Sequence, residues 1–286
     1  LGCAVGDALG APYEGHQRVE GRLSFTGRWT DDTHMMIGVA ESLVERGEVD
    51  QEHMLSRFIA NWEREPWRGY GPGPPAVFCM VRRGTPWRKA SSLLYGGSGS
   101  FGNGAAMRVA PIGLLLEDPD EVRGAAHLTA EITHAHPLGK EGAALQAYAV
   151  SMASRLTRID PLGFLQRLEQ FTESDVFRGK IAATSDLLGS VSKWQVVRTL
   201  GNTVEAFNSV PAAIFSFASN HGSFERAVSY AVGLGGDTDT IGAMTGAIAG
   251  AYHGVEAIPS EWKDSLEARD LIEELGRGLW RISRSR

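Results

Sequence analysis

Apolar residues along this chain recur at intervals of three and four. Met54, Leu55, Phe58, Ile59 and Trp62 mark one face of a helix, and Leu271, Ile272, Leu275 and Leu279 mark another. Met35, Met36, Val39, Ala40, Leu43 and Val44 form a third stripe, directly after an acidic cluster. The same periodicity predicts helices from about Asp120 to Thr133, Leu138 to Leu156, Pro161 to Phe171, Val204 to Ala218 and Phe224 to Leu234. Alternating runs of β-branched residues are almost absent. The glycine- and proline-rich pieces Trp67 to Pro75 and Tyr95 to Gly104 read as loops, and both are too short and too aromatic for linkers. Gly242, Gly246 and Gly250, spaced by four, let a neighbouring helix approach the backbone closely, which predicts a central buried helix. The reading is all-α: a single compact orthogonal helical domain over residues 1–286, with the active site on loops at helix N-termini.

Composition narrows this little. A chain of 286 residues buries a large core, and 43% hydrophobic with 22% charged residues is ordinary for a globular protein. The net charge of −6 comes without any Lys/Arg block, which argues against a nucleic-acid-binding face. The four arginines between Arg277 and Arg286 read as a solvated helix end. Two cysteines, Cys3 and Cys79, are too few for a disulfide framework, so a reducing, cytoplasmic setting is expected. No apolar run is long enough to span a bilayer, so no membrane partner is expected. The chain opens at Leu1 inside a patterned segment, and a short natural N-terminus is expected before it.

The chemistry concentrates in two places. Asp237, Thr238, Asp239 and Thr240 follow the glycine pair Gly235 and Gly236 and run straight into the small-residue segment 241–253. Inside a helix, residues two apart diverge by roughly 200°, so Asp237 and Asp239 share a ligand only from a loop that ends at a helix N-terminus. The glycines permit that loop, and the helix dipole favours ionised carboxylates there. Thr30, Asp31, Asp32 and Thr33 repeat the arrangement near the other end of the chain. Neighbouring aspartates repel unless a cation lies between them, and carboxylates with threonine hydroxyls suit Mg²⁺ or Mn²⁺. Either cluster alone reads equally well as N-caps and first-turn charges; the two together favour one metal site.

Other features are weaker. Glu14, between Gly10 and Gly15, is a metal ligand, a general base or a solvated loop acid; Asp7 reads as structural. The glycine-rich run from Gly97 through Gly99, Ser100, Phe101, Gly102 and Asn103 to Gly104 can present N–H groups to a phosphate, with Tyr95 and Phe101 beside it. His134 and His136 are two apart without cysteine partners, a poor pattern for zinc; His34 and His253 read as structural. There is no Walker lysine motif and no G-x-S-x-G elbow.

Taken in order, four motifs resemble the ADP-ribosylglycohydrolase family: Gly6 to Gly10 (GDALG), Thr30 to Thr33 (TDDT), Gly102 to Arg108 (GNGAAMR) and Gly235 to Thr240 (GGDTDT). The surroundings of Arg68, Gly99, His134 and Ser209 look most like the branch that includes the animal serine-ADP-ribose hydrolase. The resemblance implies two divalent cations, Mg²⁺ or Mn²⁺, one on Thr30, Asp31 and Asp32, the other on Asp237 and Thr240, with Asp239 bridging. It implies that Glu14 is the catalytic, mobile acid and that Asp31 assists it. It further implies that Gly99 to Gly104 cradles a diphosphate, Tyr95 and Phe101 flank adenosine and ribose, and Met107, His134 and Ile214 line the cleft. The ligand implied is ADP-ribose, free or carried by a protein or small molecule. The activity implied is hydrolysis of O-linked ADP-ribose, with arginine-linked ADP-ribose or non-catalytic binding as alternatives. The segment between Glu14 and Thr30 is short for that branch, and His136 and Pro137 replace small polar residues.

Overall fold

The computed structural model describes residues 1–189 and 192–285; Arg286, last of the arginine tail, lies outside them. Seventeen α-helices and no strand occur among the described residues, the all-α reading of the sequence. In chain order, α1 (Gly2–Gly10) and a short 3-10 turn lead by an extended segment to α2 (Asp31–Arg46) and α3 (Gln51–Arg64). Then come α4 (Gly73–Arg82), α5 (Trp87–Gly97), α6 (Gly104–Met107), α7 (Ala110–Leu115) and α8 (Pro119–Glu131). The second half holds α9 (Pro137–Ala153), α10 (Pro161–Phe171), α11 (Asp175–Asp186), α12 (Lys193–Leu200) and α13 (Ala206–Ser219). It closes with α14 (Phe224–Val232), α15 (Thr238–His253), α16 (Ser260–Ser265) and α17 (Arg269–Ser285). No helix of the described residues is long and apolar enough to cross a membrane.

Helix α15 is central, with α1, α9, α13 and α14 packed around it. Its partner across the glycine series is α1, which runs antiparallel and brings its own glycines. A Cβ built on Gly6 would stand 2.0 Å from the Gly242 carbonyl oxygen, and one on Gly2 would stand 2.2 Å from that of Gly246. At the far end, a Cβ on Gly10 would stand 2.2 Å from the Thr238 carbonyl oxygen. The two backbones therefore touch along three turns, closer than side chains allow. The consequence is positional: the C-terminus of α1, which leads into Glu14, lies beside the N-terminus of α15.

Several helices escape sequence periodicity. In α11 only Phe177, Ile181 and Thr184 are buried, and α12 buries Val196 and Leu200, stripes too thin to register over so few residues. Their starts are fixed by caps instead: Ser174 accepts from Phe177 N, and Ser192 forms a capping box with Gln195. The expected loop at residues 67–75 ends three residues early, because α4 begins at Gly73 with Pro74 and Pro75 in its first turn. Proline is at home there, since its missing N–H would be unpaired anyway. In residues 95–104, α5 breaks where Tyr95 (φ 51°) and Gly96 (φ 69°) turn left-handed.

Replacing Gly6 with Ala should cost about 1–3 kcal/mol, because neither backbone can yield to the added methyl. Gly124 lies in α8 with nothing within 4 Å of its Cβ position. Gly124→Ala should instead gain about 0.5–1 kcal/mol from helix propensity. Urea denaturation of both variants measures the contrast.

Candidate active site

The first half of the site is organised by Asp7, which has no exposed surface. One of its oxygens accepts from Thr33 N (3.0 Å) and Thr33 Oγ1 (2.6 Å); the other lies 2.9 Å from Thr30 Oγ1, and Thr30 N is 3.0 Å from both. Asp7 thus ties α1 to the start of α2 and fixes the turn from which Asp31 and Asp32 project. Its structural reading fits this placement. Thr30 is the N-cap, its hydroxyl accepting from Asp32 N at 3.4 Å, and the same hydroxyl lies 3.2 Å from Asp32 Oδ2.

The second half sits where α15 begins. Gly235 (φ 72°) and Gly236 (φ 74°) are left-handed, and a Cβ on Gly236 would stand 2.1 Å from the Asn202 carbonyl oxygen. This turn leaves Asp237 as a non-helical N-cap (φ −84°, ψ 69°) and Asp239 inside the first turn. Their carboxylates can therefore converge, as two positions within a regular helix could not. Asp237 N donates to Asn202 O (2.9 Å), and Asn103 Nδ2 donates to Asp237 Oδ2 (2.5 Å). Gly15 N donates to Gly236 O and Gly236 N to His16 O, both at 2.8 Å, which staples the Glu14 loop to the same turn.

The two halves meet. Ligand oxygens of Glu14, Asp237 and Asp239 all lie within 4.8 Å of one another. Thr240 Oγ1 reaches across to Asp32 Oδ2 at 3.5 Å. Asp31, Asp32, Asp237 and Asp239 are all buried, whereas Glu14 is exposed on the rim. Burial, and then the charges of neighbouring carboxylates, push Asp31 up to about 8 and hold Asp32 and Asp239 well above the carboxylate range. Glu14 is raised by burial and by Asp237. Asp32 Oδ1 is buried without a hydrogen-bond partner. A cluster of mutually repelling hard oxygen donors, one of them orphaned, fits a hard divalent cation.

The glycine-rich loop lies alongside. Asn103 N donates to Val204 O (2.9 Å), and Ala206 N donates to Phe101 O (3.0 Å), so the loop is pinned to the segment before α13. Gly99 N and Gly102 N are spent on Leu94 O and Ser100 Oγ, leaving fewer backbone donors than the glycine count suggests. Tyr95 and Phe101 are exposed at its edge, and Phe101 meets the rings of His136 and Phe207. His134 is buried against Gly104. His136 serves as the N-cap of α9, its Nδ1 accepting from Leu138 N at 3.1 Å. Met107 is nearly enclosed. Ile214 has no exposed surface and lies among the buried residues of α13. A cavity of about 1210 Å³ between residues 17–25, α14 and α16 contains none of these acids.

The sequence assigned no role in the site to Asn202 and Ser209, which support Asp237 directly and through Asn103, or to Phe207, which packs on Phe101. Polar singletons in helices and loops carry no periodic signal, so only contacts reveal them.

The raised carboxylates give a signed prediction. Asp31 (about 8) and Asp7 (about 6) bind protons more tightly folded than unfolded, where both lie near the ordinary aspartate value of 3.8. Their contribution to stability is therefore present at low pH and lost as pH rises through those values. In chelator, the melting temperature should fall between about pH 5 and about pH 8, and Mg²⁺ should flatten or reverse that slope because it binds the ionised form. Asp32→Asn should raise the melting temperature in chelator and reduce the gain from Mg²⁺.

Comparison with known proteins agrees with this geometry. The family model described as ADP-ribosylglycohydrolase matches residues 1–286. The chain is 33% identical to "ADP-ribosylhydrolase ARH3" of Mus musculus, covering 98% of this chain and 90% of the relative, and 33% identical to the Homo sapiens protein, covering 98% and 91%. The mouse alignment spans 331 residues, more than this chain possesses, so the relative carries segments absent here. A solved structure titled "ADP-ribosylglycohydrolase-related protein complex" superimposes with a TM-score of 0.78 at 30% identity, over 99% of this chain and 95% of that one. With acids at two helix starts drawn together by a fold of that shape, the chain belongs to the ADP-ribosylglycohydrolase family, hydrolases of the glycosidic bonds of ADP-ribose.

Proposed function

We propose that the protein releases ADP-ribose from O-linked acceptors: ADP-ribosylserine, O-acetyl-ADP-ribose and poly-ADP-ribose. The observation that carries the catalytic reading is the convergence of Glu14, Asp237 and Asp239 within 4.8 Å, with Asn103 of the glycine loop bonded to Asp237. That bond couples a seat for the diphosphate to the acids that act on the sugar. The preference for oxygen-linked acceptors rests on the residues around Arg68, Gly99, His134 and Ser209 that resemble the serine-ADP-ribose hydrolase branch. Both cysteines are free, which supports the reducing, cytoplasmic setting.

The proposed cofactors are two divalent cations, Mg²⁺ or Mn²⁺. Thr30, Asp31 and Asp32 would hold one, Asp237 and Thr240 the other, and Asp239 would serve both. Bound there, the ions supply Lewis-acid charge that orients the ribose hydroxyls and acidifies a water. The remaining steps belong to the chain. Glu14, on the exposed rim with its carboxyl raised by partial desolvation and by Asp237, takes a proton from water or gives one to the leaving oxygen. Asp31, on the opposite helix start, is the second candidate for that proton. As the anomeric carbon takes on oxocarbenium character, the surrounding carboxylates stabilise the positive charge from fixed positions.

Turnover of serine-, arginine- and acetyl-linked ADP-ribose with Mg²⁺, Mn²⁺ and chelator tests the assignment. Release from the serine and acetyl substrates, abolished by chelator, is expected; release from arginine alone would overturn the acceptor, and tight binding without turnover would make the protein a binder. Glu14→Gln should lower kcat by about 10²–10⁴-fold with little change in ADP-ribose affinity. Equal losses in both would reassign Glu14 to binding.

A further inference from the structure

Arg108 is the largest fully buried side chain, yet among the described residues its partners are Met35, Thr133 and Thr129, none of them a carboxylate. Its guanidinium donates to Thr133 Oγ1 and to Thr129 O, both at 2.9 Å, and lies over the Phe58 ring at 4.7 Å. A guanidinium has no acceptor, so the Thr133 hydroxyl must accept from it. Thr133 has no exposed surface, and its own proton has one remaining partner, His134 Nδ1 at 2.8 Å. Nδ1 therefore accepts, and in the neutral ring the proton resides on Nε2. The opposite tautomer would strand a buried hydroxyl proton without an acceptor, at the cost of burying an unsatisfied donor. Burial and the charge of Arg108 hold His134 down to about 3, so the ring is neutral across the working pH range.

Among the described residues Nε2 has no hydrogen-bond partner. It faces Gly102 and Gly104, where added Cβ atoms would stand 3.6 Å and 3.1 Å from it. Any larger residue at Gly104 would crowd it. We infer that Arg108 and Thr133 are positioning residues that fix His134 as a neutral Nε2–H donor, aimed at a phosphate oxygen seated on the 99–104 loop. This rests on the reading of that loop as the diphosphate seat. A neutral donor grips the anion without a charge that would vary with pH, and the buried cation behind it polarises the relay toward donation.

The test begins with ¹⁵N-histidine-labelled protein and no ligand. NMR should show His134 protonated at Nε2 and unprotonated at Nδ1, without titration between about pH 5 and about pH 8. An Nδ1–H tautomer or an imidazolium would overturn the relay, whatever the loop binds. Adding ADP-ribose should shift the Nε2 resonance; an unmoved resonance in a protein that binds ADP-ribose overturns the phosphate contact. Thr133→Ser should keep the tautomer and the affinity. Thr133→Val should lose the tautomer preference and bind ADP-ribose about tenfold more weakly, as expected for one charge-assisted hydrogen bond. Unchanged affinity in folded Thr133→Val would overturn the positioning role, and the wild-type spectra decide the relay if that variant fails to fold.

Discussion

The site depends on two helices touching through bare backbone. Gly2, Gly6 and Gly10 of α1 lie against Gly246, Gly242 and Thr238 of α15, with no room for a methyl group between them. Because the helices are antiparallel, the end of α1 is delivered to the start of α15, and Glu14 arrives beside Asp237 and Asp239. Bulkier residues would push the axes apart by several ångströms. The carboxylates would then part, since each is anchored to its own helix end.

Asp7 performs the complementary task from the same helix. Facing α2 rather than α15, it gathers the N–H and hydroxyl groups of Thr30 and Thr33 and so places Asp31 and Asp32 opposite the other acids. One nine-residue helix therefore sets both halves of the cluster, through absent side chains on one face and a single buried carboxylate on another. This division explains why Asp7 is buried with its hydrogen-bonding capacity filled, whereas Asp32 is buried with Oδ1 unpartnered. The first carboxylate is spent on architecture. The second is left with capacity for a ligand.

Concentrating carboxylates in a buried place opposes folding, since each raised pKa reports a charged form held at a disadvantage. Helix N-termini offset part of this through their dipoles, and a cation would offset more. The glycine loop is treated differently: Gly99, Gly102 and Asn103 tie their N–H groups to Leu94, Ser100 and Val204, so it is held in shape before any ligand arrives. A rigid seat joined to a strained acid cluster by Asn103 is suited to a substrate with a phosphate end and a reacting sugar end.

The sequence by itself determined the helical class, the buried glycine-lined helix and the two acidic starts, because each leaves a local signature: a period of 3.6, small residues four apart, or Asp and Thr before an apolar stripe. It also placed Asp7 as structural. Short helices such as α11 and α12 left too thin a stripe to be read, and an apolar residue such as Ile214 has the same appearance in a core as in a cleft lining. Only the tertiary structure decided how closely the two acidic starts approach, that Asn103 turns to Asp237, and that Arg108, Thr133 and His134 form a chain of hydrogen bonds. Those are relations between directions in space. A linear sequence fixes which groups exist, but the close approach of two backbones fixes which of them meet.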